Sequence, residues 1–230
     1  MKDLSNLEET LGIKFKNKNL FEQSLIHRSY LNEHPDSSLT HNERLEFLGD
    51  AVLELIITKF LYKNFNKPEG ELTSLRSSLV NTKSLSETAS KLEINNYLYL
   101  SKGESKSKGK AREVILANTL EAIIGTIYLD RGFIAAEKFI AKHLLPRLDI
   151  ILKQKLYKDP KSHFQEITQS KFKITPNYKV IEESGPDHNK KFIIGAYLQK
   201  KLIATGIGKS KQEAETNAAE NALKSKNITI

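Results

Sequence analysis

The chain has 230 residues, a formal net charge of +8, an apolar fraction of 39%, a charged fraction of 28% and no cysteine. That length allows one large domain or two smaller ones, and the missing cysteines exclude disulfides and thiolate metal sites. No apolar run approaches the roughly 20 residues that a bilayer-spanning helix needs, and MKDLSNLEETLG lacks the apolar core of a secretory signal, so the expectation is a cytoplasmic protein with no membrane role. The charge is uneven: residues 158–230 hold 13 lysines against 8 acids. A basic C-terminal third suits a polyanionic partner, although an ordinary basic surface would read the same way.

In chain order, residues Asn6 to Gly12 read as a short helix with Leu7 and Leu11 on one face, and Asn19 to Tyr30 as a second. His27 there suits packing or capping better than ligation. The polar run Asn32 to Thr40 is a loop, and Thr40 or Asn42 is placed to cap the helix that follows. That helix, His41 to Leu55, carries Glu43, Glu46 and Asp50 at offsets of three and seven, on one side. Its other positions are mostly apolar, so it is expected to be buried in a core or against a second subunit. Carboxylates stacked beside apolar surface repel one another and lose hydration unless a cation or a shared proton compensates. A divalent cation bound by hard oxygen donors, Mg²⁺ or Mn²⁺, is one reading; a solvated acidic face is the other.

Phe65 to Gly70 breaks the pattern, with Glu69 in the turn, and Glu71 to Leu92 resumes it. Ser101 to Lys110, rich in Gly, Ser and Lys, is expected as an exposed loop, either merely solvated or steering phosphates. Ile115 to Leu129 is a second apolar helix bearing Asn118 and Glu121 three apart, oxygen donors that face the same way. Two such helices build a hard-cation cluster when their donors converge. A last amphipathic helix spans Phe133 to Leu152, which makes the first 150 or so residues all-helical, and Pro160 follows a polar linker.

Beyond the linker the pattern becomes α-β-β-β-α: a helix Lys161 to Ser170 capped by Asp159, strands Asn177 to Glu183, Lys191 to Gln199 and Leu202 to Ile207, and a helix Lys209 to Ser225. Phe192, Ile194, Ala196 and Leu198 share one strand face, Lys200-Lys201 is read as the tight turn, and Ala214, Ala218 and Ala222 form a small-residue stripe fit to sit closely on a sheet. The fold class is thus an all-α domain followed by an α+β domain with helices on one face of an antiparallel sheet. The divisions expected are residues 1–153, a linker over 154–159, and 160–228.

The run NERLEFLGDAVLEL resembles the nine-residue motif of the ribonuclease III family. EGELTSLRSSLVNTKSLSETA and LSKGESKSKGKAREVILANTLEAIIGTIYLDRGF follow in the family's order, and PKSHFQEITQ, GPDH and GKSKQEAETNAAENAL resemble a double-stranded-RNA-binding domain. The resemblance covers the chain from about Leu4 to about Leu223. It implies a Mg²⁺-dependent endoribonuclease (Mn²⁺ as a substitute) that works as a homodimer on double-stranded RNA, with no small-molecule cofactor. The products implied are 5′-phosphate ends with short 3′ overhangs, and precursor ribosomal RNA is among the implied substrates. Glu46, Asp50, Asn118 and Glu121 match the metal-binding positions, with Asp50 and Glu121 central to catalysis. Glu43 and Glu69 match accessory acids near the cleft and subunit boundary. Phe47 matches the residue that plugs into the partner subunit, although spacing alone suits core packing nearly as well. Asn118 departs from the family's usual Asp and removes one negative charge from the site. A non-cleaving double-stranded-RNA-binding protein with a degenerate metal site is the alternative.

Double-stranded-RNA-binding domains read A-form shape across two minor grooves and the phosphates between them. Gln165, Glu166 and Gln169 on the first helix are expected at 2′-hydroxyls and base edges. His188 is expected at a turn tip entering a second minor groove. Lys209, Ser210 and Lys211 are expected at phosphate, where free backbone N–H groups and the helix dipole favour anions.

Overall fold

The two apolar runs of the first half become two helices of 22 residues each, α4 (Glu43–Asn64) and α8 (Lys110–Arg131), and the remaining helices pack around this pair. The structure is a computed structural model that describes residues 3–154, 157, 159–186 and 190–225. It divides into two compact units, residues 1–157 and 158–230. Among the described residues no helix is long and apolar enough to cross a membrane.

α8 is buried on nearly every side: Leu120, Ile123, Ile124 and Ile127 are fully inaccessible. Its two buried hydroxyls, Thr119 and Thr126, are satisfied within the helix by the carbonyls of Ile115 and Ala122, which removes the cost of burying them. Against it α4 buries Leu53, Ile56, Ile57 and Leu61. Each such side chain contributes about 1.5–3 kcal/mol by leaving water.

The smaller helices depart from the sequence reading at four places. Asn19 to Tyr30 is not one helix but α2 (Lys18–Ser24) and α3 (Arg28–Glu33), after α1 (Ser5–Leu11). Between them the backbone is pulled into a bridge with Tyr99: His27 N–H donates to the Tyr99 carbonyl and Tyr99 N–H to the Leu25 carbonyl. His27 caps α3, its Nδ1 accepting from the Ser29 N–H. Glu71 to Leu92 divides into α5 (Glu69–Val80) and α6 (Thr82–Lys91), because the Asn81 side chain accepts from Ser84 N–H at 2.9 Å and starts a new helix. Phe133 to Leu152 breaks at Pro146 into α9 (Phe133–His143) and α10 (Arg147–Gln154). The Ser101 to Lys110 segment contains a helical turn, α7 (Lys102–Ser105), tied down by Lys102 N–H on the Glu33 carboxylate and by the Arg112 guanidinium on the carbonyls of Glu104 and Ser105.

In the second unit α11 (Pro160–Phe172) starts on Asp159, whose carboxylate accepts from Ser162 N–H at 2.9 Å, with Pro160 as the first helical residue. β1 (Asn177–Ser184), β2 (Lys191–Leu198) and β3 (Lys201–Gly208) form an antiparallel sheet in that order. Leu198 pairs with Lys201, so the tight turn is Gln199-Lys200, one residue before the expected one, with Gln199 at φ 54°. Phe192, Ile194, Ala196 and Leu198 are all buried, facing α11 and α12 (Lys211–Lys224). Ala214, Ala218 and Ala222 are fully buried, and a Cβ at Gly206 would overlap Ala218 N and the Ala214 carbonyl. The small-residue stripe therefore meets glycines on β3. On the same helix the Asn217 and Asn221 amides donate to the β3 carbonyls of Ile207 and Thr205 at 2.7 and 2.8 Å.

Candidate active site and RNA interface

The acidic site is made by the crossing of α4 and α8, and the crossing is made by two glycines. A Cβ at Gly49 would overlap the Glu121 carbonyl, and one at Gly125 would overlap the Leu45 carbonyl and lie 3.0 Å from Gly49 N. Without side chains at these points the backbones touch. The turn bearing Glu46 and Asp50 is thereby set against the turn bearing Asn118 and Glu121. The sequence reading missed both glycines. The available signal was that each interrupts an apolar helical run, where glycine costs about 1 kcal/mol relative to Ala unless close approach requires it.

The four side chains sense one another. Burial first, then the charges of Asp50 and Glu46, push the Glu121 carboxyl up to about 8. The Glu46 carboxyl is raised by burial and by Glu43 and Asp50, against a hydrogen bond from the Asn118 amide that favours its ionised form. Asp50 is raised by burial and then by Glu54. Glu54 is a fourth acid of the α4 stripe, four residues after Asp50, which the sequence reading also missed. Among the described residues no three His, Asp or Glu side chains converge to the distance at which they would chelate one ion. The donor set nonetheless suits a hard divalent cation: three carboxylates and an amide oxygen, brought together from two facing helices, with mutual repulsion for a cation to relieve.

Glu43 stands at the start of this stripe, exposed, 3.5 Å from the Arg28 guanidinium. Asn42 precedes it but its side chain caps nothing; buried, it donates to the Ser24 carbonyl at 3.1 Å and anchors α4 to α2. Thr40 is likewise not the cap. Glu69 does not join the other acids: it contributes to none of their shifts and accepts instead from the Thr73 hydroxyl at 3.0 Å. It lines a cavity of about 480 Å³ with Tyr62, Leu72 and Arg76. Phe47 is 81% exposed, so it is no part of the core. Leu55 (58%) and Tyr62 (79%) continue its line along α4, eight and seven residues apart, an apolar stripe on the outer face.

In the second unit Gln165, Glu166 and Gln169 lie exposed on α11. His188 lies outside the described residues. Lys209, Ser210 and Lys211 stand at the start of α12, but the backbone donors there are not all free. The Ser210 hydroxyl accepts from Glu213 N–H at 3.1 Å, and the Glu213 carboxylate accepts from Lys209 N–H at 2.7 Å, a reciprocal capping box. The acid already occupies the positive end of the helix, so phosphate attraction falls to the lysine side chains. Lys211 leans over the Phe192 ring and toward Glu183, 3.8 Å away.

A helical unit with an acidic crossing, followed by an α-β-β-β-α unit, defines a two-domain nucleic-acid enzyme. Two family descriptions match in that order: Ribonuclease-III-like over residues 17–148 and the double-stranded RNA binding motif over residues 160–226. Ribonuclease 3 of Dehalococcoides mccartyi is 44% identical over 97% of this chain and 94% of its own length. Ribonuclease 3 of Oceanobacillus iheyensis is 45% identical over 98% of this chain and 99% of its own length. A crystal structure of the nuclease domain of ribonuclease III from Campylobacter jejuni is 39% identical, covering 64% of this chain and 96% of that one, with a TM-score of 0.57. A second Campylobacter jejuni nuclease-domain structure, described for flexibility in a region involved in dimer formation, covers 63% of this chain and 97% of that one at 38% identity and a TM-score of 0.57. The chain belongs to the ribonuclease III family. It is an endoribonuclease of that type, with a C-terminal double-stranded-RNA-binding motif.

Proposed function

We propose that the chain is a divalent-metal-dependent homodimeric endoribonuclease that hydrolyses phosphodiester bonds in RNA duplexes and leaves 5′-phosphate ends with short 3′ overhangs. Precursor ribosomal RNA and other structured transcripts are its proposed substrates. The observation that carries this reading is the meeting of Glu46, Asp50, Asn118 and Glu121 across the α4–α8 crossing, with the Glu121 carboxyl pushed up to about 8 by its neighbours.

Those four residues would hold Mg²⁺, or Mn²⁺ in its place. When bound, such an ion lowers the pKa of a water nucleophile and neutralises charge on the phosphate under attack. The protein's own part is positional. The Asn118 hydrogen bond favours the ionised form of Glu46 against burial and its acidic neighbours, which raise it; Glu121, pushed up to about 8, holds a proton at neutral pH that a cation has to displace. Gln165, Glu166, Gln169 and His188 would read two minor grooves, and the Lys209 and Lys211 side chains the phosphates between them. Glu43 and Glu69 would act at the edge of the cleft, Glu69 from beside the subunit boundary.

The test is cleavage of a long, sequence-neutral RNA duplex titrated with Mg²⁺, with EDTA as control. Metal-dependent cutting to short duplexes is the expected result. Duplex binding without cutting at any Mg²⁺ or Mn²⁺ concentration would make the protein an RNA-binding protein with a disabled centre. Because Asn118 supplies a neutral donor where an acid would add a charge, Asn118→Asp is expected to reach half-maximal rate at about tenfold lower Mg²⁺. An unchanged or higher Mg²⁺ requirement would show that the lost charge does not set metal affinity.

The apolar stripe of Phe47, Leu55 and Tyr62 supports the dimer, since large apolar side chains exposed in a row mark an interface. The adjoining cavity of about 480 Å³ is roomy enough for an aromatic side chain of the second copy. Phe47→Ala removes no core contact, so its melting temperature at low concentration is expected to match wild type. Its dimer dissociation constant should rise about 30-fold in sedimentation equilibrium, the cost of truncating a central aromatic anchor. A variant that sediments as tightly as wild type would move the interface elsewhere.

A further inference from the structure

At the α8–α9 junction the neighbouring carboxylates are already engaged. Glu8 accepts from Phe15 N–H and the Lys18 ammonium, Asp130 from the N–H groups of Lys16 and Asn17 at 2.8 Å each, and Glu137 from Lys59 at 2.8 Å. Beside them four cations line one concavity of about 230 Å³: Lys14, Arg131, Lys138 and Lys142. No acid is in its wall, and among the described residues none of the four is in an ion pair. All four are exposed.

The concavity is shaped by rigid parts. Leu11 and Phe139, both buried, form its floor. The His143 ring packs on Phe139 with centroids 4.7 Å apart and hydrogen-bonds the Leu11 backbone, which ties the end of α9 to the end of α1. Gly12 closes α1 in the left-handed region, φ +71°, with its N–H on the carbonyls of Glu8 and Glu9. A Cβ there would come within 3.2 Å of Lys142 Nζ, so the ammonium sits over this turn. Lys138 and Lys142 are one turn apart on α9, a like-charge pair that repels unless an anion lies between. The carbonyl ends of α1 and α8 partly offset Lys142 and Arg131; nothing described offsets Lys14 or Lys138. The place is also separate from the acidic crossing: Arg131 is ten residues past Glu121 on α8, about 15 Å of helix rise.

We propose that this concavity binds a small polyphosphate anion, two or more linked phosphoryl groups such as inorganic pyrophosphate, triphosphate or the phosphate tail of a nucleotide. Four cations lining one concavity match a multiply charged ligand better than a single carboxylate. A guanidinium among them supplies paired donors to phosphoryl oxygens. The volume is below the about 300–1,000 Å³ of pockets that enclose a drug-sized ligand, so the rest of a nucleotide would stay outside. RNA backbone phosphate offers the same chemistry from a different source, and the experiment separates the two.

Full-length protein in EDTA, which keeps divalent ions off the acidic site, is titrated calorimetrically with triphosphate, pyrophosphate, orthophosphate and sulfate at matched ionic strength. Affinity is expected to fall in that order. The double variant Arg131→Gln/Lys138→Gln should weaken triphosphate binding about 100-fold, roughly tenfold for each lost charged contact, and keep wild-type affinity for a short RNA duplex. Both residues are exposed, and an unchanged circular dichroism melt confirms that the fold is intact; if it shifts, Lys14→Gln is read instead, with about a tenfold loss expected. Triphosphate binding no tighter than sulfate, or unaffected by the substitutions, overturns the proposal. A variant that loses duplex affinity while triphosphate fails to bind wild type also overturns it, and assigns the four cations to RNA.

Discussion

Glu121→Gln is expected to reduce duplex cleavage by about a thousandfold or more, and at the same time to make the metal-free protein more stable at neutral and alkaline pH. The first effect follows from the proposed role of Glu121 as a charged metal ligand, for which several kcal/mol of transition-state stabilisation corresponds to that factor. The second follows from the carboxyl pushed up to about 8 from its ordinary 4.5. Below pH 4.5 folded and unfolded chains both hold the proton, and the group is neutral in its effect. Between 4.5 and 8 the unfolded chain gives it up first, so stability falls as pH rises through that window and stays low above it. With allowance for solvent screening of a partly exposed group, the loss is about 2 kcal/mol, or about 5 °C in melting temperature for a unit of this size. Thermal melts in EDTA at pH 5.5 and 8 should show this loss in wild type and a flatter response in Glu121→Gln. Parallel curves for the two proteins would contradict the account of a carboxyl held protonated by burial and its neighbours. Because a cation competes with the same proton, the Mg²⁺ concentration for half-maximal cleavage should also rise as pH falls below 8.

Gly49→Ala is expected to cost about 3 kcal/mol or more, or to prevent folding. The new methyl group overlaps the Glu121 carbonyl, and neither backbone yields as a flexible side chain would. The helices have to part at the point that sets Glu46 and Asp50 against Asn118 and Glu121, so any folded fraction should be inactive. Urea unfolding and duplex cleavage read the two effects separately. Gly70→Ala is the control: a Cβ there meets nothing within 4 Å, and Ala is the better helix former, so stability should be unchanged or slightly raised. If Gly49→Ala behaves like Gly70→Ala, the close crossing does not hold the site together.

The parts of the fold readable in the sequence were those governed by local periodicity. The carboxylate stripe on α4, the buried alternation of β2 and the alanine stripe of α12 each depend on residues a few positions apart. The departures have long-range causes. Nothing near Leu25 or His27 announces a helix break; the backbone turns there to pair with Tyr99, more than 70 residues later. Asn42 has the composition of a cap but is drawn into a bond with the Ser24 carbonyl. The free N–H groups expected for phosphate at α12 are partly claimed by Glu213, whose capping role was present in the Ser210-Lys211-Gln212-Glu213 pattern. The acids of α4 and α8 were recognisable as oxygen donors, whereas the glycines that let them meet reveal their purpose only once the helices cross. Phe47 was ambiguous for a related reason: helical spacing says which side a residue is on, not whether that side meets a core or a second molecule.

Asn217 and Asn221 give the RNA-binding unit a property unrelated to RNA. β3 is an outer strand of its sheet, and the outward carbonyl row of such a strand is a template on which another chain's strand can align. By donating to the carbonyls of Ile207 and Thr205, the two amides occupy that template from within the same molecule. Edge-to-edge pairing through β3 is thereby disfavoured, while β1 is the other outer strand of the sheet. The same helix that packs on the sheet thus also shields one of its edges from a second chain's strand.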